Sequence, residues 1–98
     1  MRYEIILAPT AVEDLRQLPA YARAAVRDAL EVHLRHEPTK VSKSRVKRLR
    51  GLSRPQYRLR VDEIRVFHDI VGQEVQVLAI VTKAVAQAWL DANATVRP

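Results

Sequence analysis

The 98-residue sequence contains no cysteine and only two glycines, Gly51 and Gly72. Without cysteine there is neither a disulfide framework nor a thiolate metal site, and a reducing compartment fits. With glycine so sparse there is no Gly-rich loop to cradle a nucleotide phosphate, and no Ser-His-Asp spacing stands out. His33 and His36 stand near a helix end without a third clear ligand, so neither a metal nor a cofactor is expected. No hydrophobic run approaches membrane-spanning length. The first residues, Met1 to Leu7, carry charge inside their apolar stretch and reach Pro9, too short and polar for a signal peptide. A cytoplasmic protein with no membrane partner is the expectation.

The most informative absence is acidic. From Lys40 to Arg60 the chain carries Lys40, Lys43, Arg45, Lys47, Arg48, Arg50, Arg54, Arg58 and Arg60 with no Asp or Glu between them. The formal net charge is +6, and the rest of the chain is nearly balanced. Nine cations without one acid are hard to explain by solubility and point to a polyanion or an acidic partner. At this length, with 48% hydrophobic and 29% charged residues, there is room for one compact domain, residues 1–98. Its core must be thin, so function is expected on the outside.

Hydrophobic periodicity sets out the elements. Tyr3, Ile5 and Leu7 alternate with polar neighbours, the period of a half-buried strand. Thr10 and Glu13 have capping-box spacing before an apolar stripe of Val12, Leu15 and Leu18. A second helix is predicted over 20–36 and stops before Pro38. Residues 39–55 read as a long basic loop with a short strand around Val46 to Leu49. Tyr57, Leu59 and Val61 then alternate with Arg58 and Arg60; Asp62-Glu63 turns, Ile64 to Ile70 returns, and Glu74 to Val81 forms an interior strand. Thr82 can cap a last helix from Lys83 to about Asn93. The expected fold is α+β: an N-terminal strand, a helical hairpin, a three-strand antiparallel meander and a C-terminal helix. A four-stranded sheet covered on one face by the hairpin leaves Arg58, Arg60 and Arg65 on an open face.

One constellation is more specific. Lys47-Arg48-Leu49-Arg50-Gly51-Leu52 precedes Tyr57-Arg58-Leu59-Arg60-Val61, a tight turn, and Arg65-Val66-Phe67. Together with Ala11, Asp14, Leu15, Leu18 and Pro19 in the first helix, these segments resemble the RelE/ParE superfamily, the toxins of bacterial type II toxin–antitoxin pairs. The resemblance implies a RelE-like fold and an acidic antitoxin partner in a hetero-oligomer. In the RelE branch it implies a metal-independent endoribonuclease that cuts messenger RNA on the ribosome, the RNA's own 2′-hydroxyl attacking the adjacent phosphate. Arg58, Arg60 and Arg65 fall on that branch's basic catalytic positions, and Lys83 joins them near the last strand. Lys43, Arg45, Lys47, Arg48, Arg50 and Arg54 are the expected nucleic-acid contacts. Arginine stays protonated, so Lys83 or His68 is the candidate general base. The nuclease branch usually has a second cation and a tyrosine where this sequence has Ala84 and Leu90. Two other outcomes therefore stand beside cleavage: a ParE-like inhibitor of DNA gyrase without catalytic activity, and a non-toxic member that binds only antitoxin.

Overall fold

The computed structural model describes residues 1–42 and 44–98. Lys43, one of the expected nucleic-acid contacts, lies outside the described residues. The elements run β1 (Glu4–Leu7), α1 (Pro9–Arg16), α2 (Ala20–Leu34), β2 (Val46–Arg48), β3 (Leu52–Arg54), β4 (Tyr57–Val61), β5 (Ile64–Val71), β6 (Glu74–Thr82), α3 (Lys83–Asn93) and β7 (Thr95–Val96). Five strands form one sheet in the order β1-β6-β5-β4-β2, with β1 parallel to β6 and the other pairs antiparallel. The expected four strands thus gain a fifth, β2, because Val46 is buried opposite Leu59 and carries its basic neighbours into the ladder. A second correction is the small β3–β7 sheet, which ties the tail to the segment after Gly51.

The core lies between one sheet face and the helical hairpin. Ala11, Leu15, Ala22, Val26, Leu30 and Leu34 recur at helical spacing and pack on Leu59, Val61, Ile64, Val66, Val75, Val77 and Ile80. Each large aliphatic side chain among them contributes roughly 1.5 to 3 kcal/mol through burial. The helix α2 ends at Leu34, short of the expected His36. The next residue, Arg35, accepts a hydrogen bond from Tyr3 N–H on its carbonyl (2.7 Å) and donates from its guanidinium to the Tyr3 carbonyl (2.9 Å). That clasp holds the last helical turn to the start of β1.

The capping box does not form. Pro9, with its fixed φ and missing N–H, is pre-organised for the first helical turn, and α1 begins there behind Ala8. Thr10 therefore sits inside the helix and turns to the sheet. Its hydroxyl donates to the Leu78 carbonyl (3.1 Å), and one turn later the Asp14 carboxylate accepts from the Ile80 N–H (3.0 Å). The register between β5 and β6 shifts at Phe67/His68, leaving Leu78 without a cross-strand partner. A bulge of this kind orphans backbone groups. Pairing with β1 also ends at Val77, and there Thr10 and Asp14 take up backbone groups of Leu78 and Ile80, which docks α1 on β6.

His68, on the core face of β5, is fully buried and stacks on Tyr57 with centroids 5.5 Å apart. Neither ring nitrogen has a hydrogen-bond partner; the Val66 backbone favours the charged form weakly, without a bond of good geometry. Burial pushes the imidazole down to about 4 from an ordinary value of 6.5.

Two outcomes follow from these contacts. Asp14→Ala leaves the Ile80 N–H unpaired and lowers stability by roughly 1 to 3 kcal/mol in urea unfolding, with Asp14→Asn costing less; a wild-type midpoint for Asp14→Ala would show that solvent replaces the carboxylate. For His68, the unfolded chain binds the proton more readily than the folded one. Its contribution to stability is complete above the unfolded value of 6.5 and is lost as pH falls through about 4, on the order of 3 kcal/mol. Removing the group with His68→Phe should flatten the stability–pH slope across that window, and an unchanged slope would assign it to carboxylates instead.

Candidate nucleic-acid interface

The strand β4 alternates strictly, so burying Leu59 and Val61 in the core sends Arg58 and Arg60 to the opposite face. Cross-strand pairing extends that face. Lys47 lies opposite Arg58, which lies opposite Phe67. In the next row Arg60 lies opposite Arg65, and Arg65 opposite Val81. The Arg60 N–H bonds the Arg45 carbonyl (2.8 Å), which continues the β2–β4 register and places Arg45 at the outer end of this row. Lys83 follows Val81 by two residues, exposed at the start of α3, and its N–H donates to the Glu63 carbonyl (2.7 Å).

Arg45, Lys47, Arg58, Arg60 and Arg65 are thus gathered on one sheet face, with Lys83 at its end. Among the described residues, none of these six has a carboxylate within 4.0 Å; the four ion pairs present involve other residues. Pairing Arg60 directly opposite Arg65 is repulsive. Arg65 is only 9% exposed, and its guanidinium donates to the carbonyls of Asp62 (2.8 Å) and Ile64 (3.1 Å), which fixes it across the β4–β5 turn. At that turn Asp62 has φ of 53°, a left-handed conformation Asp tolerates better than most side chains. Arg58 has a buried Nε with no partner. Desolvation first, and then the nearby Arg65 and Arg60 charges, lower its pKa from the ordinary arginine value. Among the described residues the Arg58 and Arg60 side chains make no hydrogen bond, and they sit beside an Arg65 whose guanidinium is held to the turn, so this crowding of like charge is not relieved within the protein.

The expected contacts divide. Arg48 points to the core face, where its guanidinium lies 5.2 Å from the Tyr57 ring centroid and donates to the Gln56 carbonyl (2.6 Å). Arg54 pairs with Asp69 at 3.4 Å, and Asp69 also accepts from the Gln56 N–H (2.7 Å). Arg50 is exposed in the turn before Gly51. His68, considered as a general base, lies on the opposite face from the arginines, so Lys83 is the candidate that remains near them. The cationic face is bordered by an aromatic stack, with Trp89 packed against the sheet as its helical spacing with Val85 and Ala88 predicts: Phe67, 1% exposed, stacks on Trp89 of α3 with centroids 4.9 Å apart and planes inclined by 7°. α3 therefore covers part of the face expected to be open.

An apolar groove of about 280 Å³ lies between the helical hairpin and the β4–β5 turn, lined by Leu18, Tyr21, Ala22, Val61 and Ile64. It contains none of the six cations. The cationic face is a surface rather than an enclosed pocket, a shape that suits an extended polyanion better than a small molecule. Among the described residues, no helix is long and apolar enough to cross a membrane.

No family model and no curated protein matches the chain. Solved structures do. The RelBE2 toxin–antitoxin complex from Mycobacterium tuberculosis contains a chain 26% identical, covering 84% of this protein and 99% of that chain with a TM-score of 0.66. The archaeal RelE–RelB complex from Pyrococcus horikoshii matches at 25% identity over 88% of this protein and 100% of that chain, TM-score 0.65. A mutant of the E. coli toxin RelE in the free state superposes with a TM-score of 0.70 over 94% of this protein and 95% of that chain; at 18% identity that likeness concerns the fold. Three helices on a mixed five-stranded sheet, in this order and over most of the chain, make the protein a RelE-like α+β fold and a structural match to the RelE toxins of RelBE toxin–antitoxin complexes.

Proposed function

We propose that this protein is the toxin of a type II toxin–antitoxin pair and arrests translation as a RelE-like, ribosome-dependent messenger RNA endoribonuclease. The observation that carries the reading is the set of Arg58, Arg60 and Arg65 on one sheet face with no carboxylate within 4.0 Å among the described residues. A phosphodiester supplies the missing charge. When the RNA 2′-hydroxyl attacks the adjacent phosphorus, the bond to the 5′-oxygen breaks and charge grows on the phosphoryl oxygens. Fixed guanidiniums that lower this charge's energy more than the ground state's accelerate the step. Removing one such donor costs about 100- to 1,000-fold.

The proton balance needs another group. The 2′-hydroxyl must lose a proton and the departing 5′-oxygen must gain one, and arginine serves poorly as the acceptor. Lys83, exposed at the end of the arginine row, is the residue of this chain assigned to that exchange. The antitoxin is an acidic protein whose extended segment folds over the basic face, and the named relatives from M. tuberculosis and P. horikoshii are solved in toxin–antitoxin complexes. Ala84 and Leu90, where the nuclease branch has a second cation and a tyrosine, favour one second reading, a ParE-like protein that inhibits gyrase without hydrolysing anything.

Inducible expression in cells without the antitoxin separates the two. Under the nuclease reading, protein synthesis falls first in pulse labelling and new message ends map inside translated codons; an early fall in DNA synthesis with intact messages supports gyrase instead. Arg65→Ala should reduce message cleavage by about 100-fold or more and leave antitoxin binding nearly unchanged. Because Arg65 also ties the β4–β5 turn, Arg60→Ala, at an exposed position without side-chain hydrogen bonds, is the companion variant, and both are checked for an intact melting transition. Full cleavage by both variants would remove the arginine rows from the active site.

A further inference from the structure

The five cations of the sheet face form two rows with different internal and mutual spacing. Lys47 and Arg58 face each other across β2 and β4, while Arg45, Arg60 and Arg65 make the neighbouring row. Neighbours within a row are about 5 Å apart across the strands, close enough for two or three side chains to converge on one phosphate. Arg58 and Arg60 are two residues apart on the same face of β4, so the rows are separated by about 6.7 Å along the strand. That separation is comparable to the repeat of an unstacked sugar–phosphate chain.

We propose that the face holds two successive phosphates of a single RNA strand, one on the Arg45, Arg60 and Arg65 row and its neighbour on the Lys47 and Arg58 row, so that the strand runs along β4. The proposal rests on the endoribonuclease reading and adds to it a second phosphate subsite and a direction. Lys47 becomes a substrate-binding residue of the site, distinct from a general ribosome-docking charge.

Three observations support the second row. Arg58 keeps a buried Nε without a partner, and Lys47 is exposed with no carboxylate in reach among the described residues. The strand that carries Lys47 is fixed from behind: Arg48 is held on the opposite face by the Tyr57 ring and the Gln56 carbonyl, so alternation turns Lys47 outward beside Arg58. The inner end of this row is closed by Phe67 under Trp89. A phosphate there has an apolar wall on one side and two cations on the other, so the backbone is confined to the strip along β4.

The test uses trinucleotides with 2′-methoxy groups, which cannot be cleaved, and without terminal phosphates, so that each carries two phosphodiesters. In two further probes either linkage is replaced singly by a neutral methylphosphonate. Binding at low ionic strength is followed by fluorescence of Trp89, the single tryptophan of the chain. With the native protein each replacement should weaken binding about tenfold. In Lys47→Ala, an exposed position whose fold is checked by its melting transition, one of the two replacements should cost clearly less than it costs the native protein, since only Arg58 then remains in that row, while the other keeps its full effect. If both replacements cost Lys47→Ala as much as they cost the native protein, the second subsite is not on this row, and the nuclease reading stands. If the native protein binds none of the trinucleotides yet still cuts messages in cells, the two-phosphate arrangement is overturned alone; if it neither binds nor cuts, both readings fall.

Discussion

The structure depends on what the β4–β5 pairing must do on its two faces at once. One face, from Leu59 and Val61 to Ile64 and Val66, is the centre of the core, and the other brings Arg58, Arg60 and Arg65 together. A one-residue slip in this pairing would drive the arginines into the core and the aliphatic residues into solvent, so the hydrophobic face enforces the register of the charged one. The repulsion between Arg60 and Arg65 is thereby tolerated. Apolar burial holds the strands in place, and among the described residues none of the three guanidiniums has a carboxylate within 4.0 Å. Asp69, farther along β5, is engaged by Arg54 and the Gln56 N–H.

The remaining elements brace this pair. On the core side, α1 closes over the bulge in β6 through Thr10 and Asp14. On the charged side, Trp89 of α3 covers Phe67, and the tail beyond α3 is tied by β7 to β3, with the Arg97 N–H on the Gly51 carbonyl at 2.8 Å. The helix α3 buries no residue fully. Its attachment therefore rests on that aromatic stack and on its two anchored ends. His68 lies beneath the meander as a neutral core group, which makes the fold rather than the arginine face sensitive to acid.

Much of this was legible in the sequence because side-chain alternation and helical spacing record burial directly. The strict pattern from Tyr57 to Val61, the two-residue turn at Asp62-Glu63 and the stripes of α2 needed only periodicity. What spacing could not convey was partnership across the chain. Thr10 and Glu13 have the letters of a capping box, yet Pro9 moves the helix start and hands Thr10 to Leu78. Within the basic run, Arg48 and Arg54 look like Lys47 and Arg45; only pairing with Tyr57 or Asp69, distant in sequence, separates structural cations from those left on the open face. The two residues of β7 carry no local signal because their strand exists only against β3. The bulge at Leu78 was equally hidden, since both flanks read as continuous apolar strand.

Under the endoribonuclease proposal, the arginine face acts on a phosphodiester presented by a translating ribosome. Its most direct test adds the purified protein to ribosomes stalled on a defined message and maps the message ends. The expected result is a cut inside the codon held in the decoding site, leaving a 2′,3′-cyclic phosphate upstream and a free 5′-hydroxyl downstream, with no cut when ribosomes are omitted. Intact messages on the stalled ribosomes, together with loss of gyrase supercoiling in a parallel reaction, would contradict it.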